Sequence, residues 1–170
     1  KSDKRGQMEI SFGMIFSILL IIAFLAVAVY VIYKFIGIKE TITAKQFVLN
    51  IQQDVDGFWQ QTNSEGKQPA NYIVPSKVEL VCFVDLSKPA RPNGNDLYEE
   101  FKQYSYSNPN FFFYPFGSTE DEFATLEHLN INETVKTQNP LCIRNRNGKV
   151  FLVLERKYGE GLITVKEDVQ

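Results

Sequence analysis

From Ile10 to Tyr33 no side chain carries a charge. At about 1.5 Å per residue the run is roughly 36 Å long as a helix. A bilayer's hydrocarbon core is about 30 Å thick, so the run can span it with some tilt. It exceeds the roughly 7–15 apolar residues of a cleaved secretory signal. A buried core helix is the competing reading, but such helices usually keep one polar face. Lys1, Lys4 and Arg5 precede the run, with Asp3 among them, and Lys34, Lys39 and Lys45 follow it. The denser basic flank comes first, which predicts a cytoplasmic N-terminus and the rest of the chain on the outer side.

Helical patterning continues beyond the run. Phe47, Ile51, Val55 and Phe58 with Trp59 recur at three- and four-residue steps and form one apolar stripe. Lys45, Gln52, Gln53, Asp54, Asp56 and Gln60 form the polar face between them, and Gly37 is a candidate bend. A helix from about Gln7 to about Gln61 is roughly 80 Å long, more than one domain core can use. Lipid or other chains must therefore cover its first half, while its second half can pack on its own domain.

The remainder reads as β-rich. Residues 62–71 (TNSEGKQPAN) read as a loop. Val78 to Asp85 is a strand with two largely apolar faces, so a central one. Asp96 with Glu99 starts a short helix through LYEEFKQYS. NPNFFFYPFGS reads as a buried strand or a packed loop plugging the core, with an exposed aromatic platform as the alternative. Ser118 or Thr119 ahead of Glu122 predicts a capped helix over STEDEFATLEHL. PLCIRNR, KVFLVLERK and LITVKED read as three antiparallel strands in a meander, turned at Asn147-Gly148 and at Gly159 and Gly161. The expected fold class is α+β: a long N-terminal transmembrane-plus-amphipathic helix packed on an antiparallel β-sheet head.

Candidate chemistry is sparse. The net charge is -2, from 20 acids and 18 bases, so no basic face for nucleic acid is indicated. The single histidine, His128, has no metal-ligand spacing around it and reads as a surface or half-buried residue. Glu99-Glu100 and Glu120-Asp121-Glu122 read as solvated surface acids. Neither a phosphate loop nor a nucleophile elbow occurs. No catalytic residue, metal site or cofactor is expected, and the chain is not read as an enzyme. Cys82 and Cys142 lack zinc-site spacing. Outside the cell they can close a loop worth about 3–5 kcal/mol; two buried free thiols are the alternative. Asn132-Glu133-Thr134 is a glycosylation acceptor pattern, with Asn132 the modified residue.

Lys4 and Arg5, the Gly6-Gln7 step, a nearby acid and the run from Ile10 to Phe35 resemble archaeal type IV pilin-like proteins with class III signal peptides. The resemblance, pilin-like in layout, rests on the first part of the chain by motif and on the rest by organisation alone. It implies that a membrane-embedded prepilin peptidase cuts between Gly6 and Gln7 and that the apolar helix stays attached. Residues 1–6 are then a cytoplasmic leader, 7–36 a transmembrane helix, 37–62 its amphipathic extension and 63–170 an extracellular head.

Members of that group commonly carry an acid at the fifth mature position, and many have a serine at the third. Counted from Gln7, Glu9 is third and Ser11 fifth, so the two are exchanged. A carboxylate in a membrane helix is costly unless paired. Glu9 is either a partner for a neighbour's α-amino group, fixing register between subunits, or an interfacial acid favoured by the helix dipole. The function implied is a structural subunit, bulk or minor, of a surface filament. Its partners are then the membrane, the peptidase, pilin copies and their assembly machinery. The alternative is a single-pass anchored adhesion protein that does not polymerise.

Overall fold

The computed structural model describes residues 12–61, 65–92 and 96–168. The protein is α+β, a long N-terminal helix followed by antiparallel sheets, consistent with a pilin-like fold. Helix α1 (Phe12–Gln60) includes Gly37. The chain divides into two units, one ending at Lys39 and one beginning at Glu40.

In the first unit every residue from 12 to 39 is exposed. Ser17 donates its hydroxyl to the Gly13 carbonyl at 2.8 Å, so that polar group is satisfied within the helix.

The second unit is built around Glu40–Gln60 of α1. Ala44, Phe47, Ile51, Val55 and Phe58 are its buried face. Trp59, expected in that stripe, is instead 37% exposed. It lies one residue past Phe58, and the 100° step per residue turns it away from the core.

Two antiparallel sheets pack on this stripe. The first holds β1 (Gly66–Ile73), β6 (Lys149–Arg156) and β7 (Thr164–Glu167) in the order β1-β6-β7. The second holds β2 (Leu80–Phe83), β3 (Phe111–Tyr114), β4 (Phe123–Ala124) and β5 (Leu141–Arg144) in the order β4-β3-β2-β5. Val150, Leu152 and Leu154 of β6 and Ile163 and Val165 beside or in β7 join Phe47, Ile51 and Val55 in one core. Val81, Phe83, Phe111 and Phe113 reach the same core from the second sheet.

The second sheet is buried on both faces, as the continuous apolar pattern of β2 predicts. Its other face carries Cys82, Phe112 and Val84, covered by Tyr98 and Phe101 of α2 (Asp96–Lys102). Phe101 and Phe112 stack with ring centroids 4.4 Å apart. The Phe111-Phe112-Phe113 run therefore fills two cores at once, and the exposed-platform reading does not hold.

Three expectations are corrected. Residues 62–71, read as a loop, contain most of β1, whose side chains are polar because one face is open to solvent. Pro69 is tolerated because β1 is an edge strand and needs no outward N–H. STEDEFATLEHL is not a helix: it is turns and the short β4, which pairs with β3 at Phe111↔Ala124 and Phe112↔Phe123. Packing of the partly buried Phe123 against the aromatic cluster outweighs the capping pattern. The meander is also broken. β5 pairs with β2 in the second sheet, while β6 pairs with β1 and β7. The Asn147-Gly148 turn is present, with φ of 55° and 81°, but it joins strands of different sheets.

Candidate functional site

The candidate site is the apolar helix together with the contacts that hold its second half in the head. Among the described residues, α1 is the one helix long and apolar enough to cross a membrane. Phe12, Phe24, Phe35 and Tyr33 are each more than two-thirds exposed. Gly6, Gln7 and Glu9, the expected processing and pairing residues, lie outside the described residues.

Within the head, polar contacts fasten α1 along its length. Glu40 accepts from the Ser76 amide at 2.9 Å and the Ser76 hydroxyl at 2.7 Å. Tyr72 of β1 donates its hydroxyl to Asp54 Oδ2 at 2.7 Å. Burial pushes the Tyr72 phenol far above its usual range, and the Asp54 hydrogen bond and charge add to the rise. Tyr72 therefore stays a neutral donor. Phe47 sits among Tyr72, Phe111 and Phe113 with centroid distances of 5.5, 5.5 and 5.4 Å.

His128 belongs to this fastening. Its Nδ1 lies 2.8 Å from Asp56 Oδ1, the same oxygen that accepts from Gln52 Nε2 at 2.7 Å. Gln52 Oε1 accepts from the Glu127 amide at 2.8 Å, and the His128 ring stacks on Trp59 at 3.8 Å. The His128 backbone, at φ 59°, also accepts from the Ile163 amide at 2.9 Å. One short segment is thus tied to α1 on one side and to the entry of β7 on the other. The histidine is half-buried, and all these contacts serve attachment. No group of three or more His, Cys, Asp or Glu side chains is placed to hold a metal ion among the described residues.

Arg156, at the end of β6, closes α1. Its Nη1 donates to the carbonyls of Phe58 at 3.2 Å, Trp59 at 3.0 Å and Gln61 at 2.5 Å. The last carbonyls of a helix lack partners within it, and a guanidinium supplies donors and a favourable charge at the negative end of the dipole. Sequence reasoning passed over Arg156 because nothing local marks it as a cap.

Cys82 and Cys142 are disulfide-bonded. They sit directly opposite each other on β2 and β5, on the face covered by α2. Asn132 is exposed in the short helix α3 (Ile131–Thr134), and its Oδ1 accepts from Lys88 Nζ. Asn130 caps α3 by accepting from the Glu133 amide at 3.2 Å. Thr134, the third residue of the acceptor pattern, is buried, and its hydroxyl accepts from the Val165 amide at 3.0 Å. Folding therefore withdraws Thr134 while leaving Asn132 reachable.

Buried Asn139 joins two loops of the second sheet. Its Oδ1 accepts from the Asp85 amide at 3.0 Å, and its Nδ2 donates to the Asp85 and Pro89 carbonyls at 2.9 and 3.2 Å. Its burial comes from distant parts of the chain, so no local pattern signals it. Comparison with known protein families, with curated proteins and with solved structures found no match to this chain.

Proposed function

We propose that this chain is a structural subunit of an archaeal type IV pilus-like surface filament, anchored in the membrane before assembly through its apolar helix. The observation that carries the reading is that every residue from 12 to 39 is exposed, in a segment that is apolar but for Lys34 and Lys39. Such a surface in water is unfavourable by about 25 cal/mol for each Å² of apolar area, so lipid or other chains must cover it. The head supports the reading by gripping the following helical stretch with the Phe47 cluster, Tyr72, His128 and Arg156.

In this reading residues 1–6 are a leader on the cytoplasmic side, 7–36 lie in the bilayer, 37–62 extend the helix and 63–170 form the head outside. Prepilin peptidase cuts after Gly6. Glu9 pairs with the new α-amino group of a neighbouring copy, and the resulting assembly is a helical bundle with heads outward. The disulfide suits an oxidising exterior.

The test is mass spectrometry of the native protein together with electron microscopy of sheared surface material. A mature N-terminus at Gln7 and presence in filaments are the expected results. A different N-terminus sinks the peptidase step, and confinement to membranes makes the chain an anchored adhesion protein instead.

A further inference from the structure

The chain contains two Asn-Gly steps, Asn93-Gly94 and Asn147-Gly148. Asparagine is a thermolabile residue, and a following glycine has no side chain to hinder attack by its own backbone nitrogen. At the second step the Gly148 nitrogen would attack Asn147 Cγ. A new N–C bond forms there, the Cγ–Nδ2 bond breaks and ammonia leaves with the amide proton. Water then opens the succinimide ring at either carbonyl and leaves aspartate or isoaspartate. Asn147 is exposed, so water reaches it freely.

The fold restrains the attacking nitrogen. Asn147 and Gly148 are the central residues of a two-residue turn, at φ 55° and 81°. The Arg146 amide donates to the Lys149 carbonyl at 2.7 Å, and the Lys149 amide to the Arg146 carbonyl at 3.2 Å. Those two bonds close the ends of the turn and do not involve the Gly148 amide. Asn145 engages it instead: Asn145 Oδ1 accepts from the Gly148 amide at 2.8 Å. Asn145 is itself held, because its Nδ2 donates to the Val78 carbonyl at 2.7 Å and its amide donates to the Glu79 carbonyl at 2.8 Å. Val78 is 1% exposed, so this hold is anchored at the core. For attack, the Gly148 nitrogen must give up its proton and swing toward Asn147 Cγ. Both movements break its bond to Asn145.

We propose that Asn147 is a deamidation site of the head and that Asn145 guards it by engaging the Gly148 amide. The inference does not depend on whether copies assemble. Damage at this turn reaches the helix. The Gly148 carbonyl accepts from the Val74 amide at 3.0 Å, and Ser76, two residues on, is bonded to Glu40 of α1. Isoaspartate at position 147 adds one carbon to the backbone and a negative charge beside Gly148. Deamidation therefore loosens the stretch that fastens the head to α1 at Glu40.

The experiment is incubation of the full chain in detergent at neutral pH, followed over time by peptide mapping with mass spectrometry and by an isoaspartate assay. Asn93-Gly94, which lies outside the described residues, is read in the same map and corrects for deamidation during digestion. The folded chain should lose ammonia at Asn147 more slowly than the chain unfolded in urea, and this comparison needs no variant. Asn145→Ala should raise the rate at Asn147 about two- to tenfold, the factor that one hydrogen bond is worth. Asn145→Asp keeps an acceptor for the Gly148 amide and gives up the donor to Val78, so it should stay near the parent rate. Arg156→Ala weakens the head at the opposite end of β6 and should leave the rate unchanged. A folded parent that deamidates at Asn147 as fast as the unfolded chain overturns the proposal. So does an Asn145→Ala rate equal to the parent's. An equal rise in Arg156→Ala assigns the effect to general loosening, and an equal rise in Asn145→Asp assigns it to the Val78 contact; either overturns the role of Asn145.

Discussion

Arg156 and Trp59 meet across the end of the helix: Arg156 Nη1 donates to the Trp59 carbonyl at 3.0 Å. The same nitrogen serves Phe58 and Gln61, so one side chain of β6 ends α1 and ties it to the first sheet. Removing it takes a donor from the part-buried Phe58 carbonyl and a positive charge from the negative end of the helix dipole. Arg156→Ala should cost about 1.5–3 kcal/mol, the range for hydrogen bonds involving a charged group. Arg156→Lys should recover part of that, since a lysine keeps the charge but not the planar fork. Thermal unfolding of the full chain in detergent checks both.

Asn139 is 1% exposed and satisfies groups on both Asp85 and Pro89. Asn139→Leu should be among the most damaging single changes in the head. It strands the Asp85 amide and carbonyl, at about 1–3 kcal/mol for each unsatisfied group. The expected outcome is a sharply lowered midpoint or loss of soluble head. An Asn139→Leu protein with an unchanged midpoint would refute the assigned role.

Glu155 is 8% exposed and lies between two lysines on neighbouring strands. Lys67 Nζ is 3.4 Å from Oε1, and Lys166 Nζ contacts Oε2. The Lys166 hydrogen bond, with Lys67 behind it, holds the carboxyl below its ordinary value of 4.5 against the opposing effect of burial. A depressed folded value means that the pair stabilises the head above the ordinary carboxylate range. That contribution is lost as pH falls from there through the folded value. Glu155→Gln should therefore be less stable than the parent at neutral pH by about 1–2 kcal/mol. The gap should close in acid, measured as the urea midpoint against pH.

The disulfide spans a sequence separation of 60. The chain-entropy model assigns such a loop about 4 kcal/mol. Replacing both cysteines by serine should lower stability by that order, and reduction of the native chain should have a matching effect. Non-reducing gel mobility together with the unfolding midpoint under reductant checks it.

Thr164 is buried at 2% exposure, and its Oγ1 has no hydrogen-bond partner among the described residues. Thr164→Val keeps the shape and removes a buried unsatisfied hydroxyl. It should raise stability by about 1 kcal/mol, since a polar group without a partner is a net cost. A lowered midpoint for this variant would show that the hydroxyl is satisfied in solution.

Some of this was legible from local pattern alone. The uncharged run and the Phe47–Ile51–Val55–Phe58 spacing announced a long helix with two different halves, because helix period and side-chain hydropathy are both local properties. The apolar density around Cys82 announced a central strand, and Asn147-Gly148 announced a turn, because each depends on a few adjacent residues. Strand partners were not legible. An alternating strand fits either sheet, and β5 joined β2 because Cys142 lies opposite Cys82 and Ile143 opposite Val81 in the second sheet. The polar strand β1 was hidden because an edge strand with one wet face looks like a loop until a partner supplies its hydrogen bonds. The sequence by itself determined that an apolar segment needs cover from outside its own domain. Only the tertiary structure decided how the head holds the helix. The Arg156, Asn139 and His128 contacts join residues far apart in the chain, and burial brought about by the whole fold makes them matter.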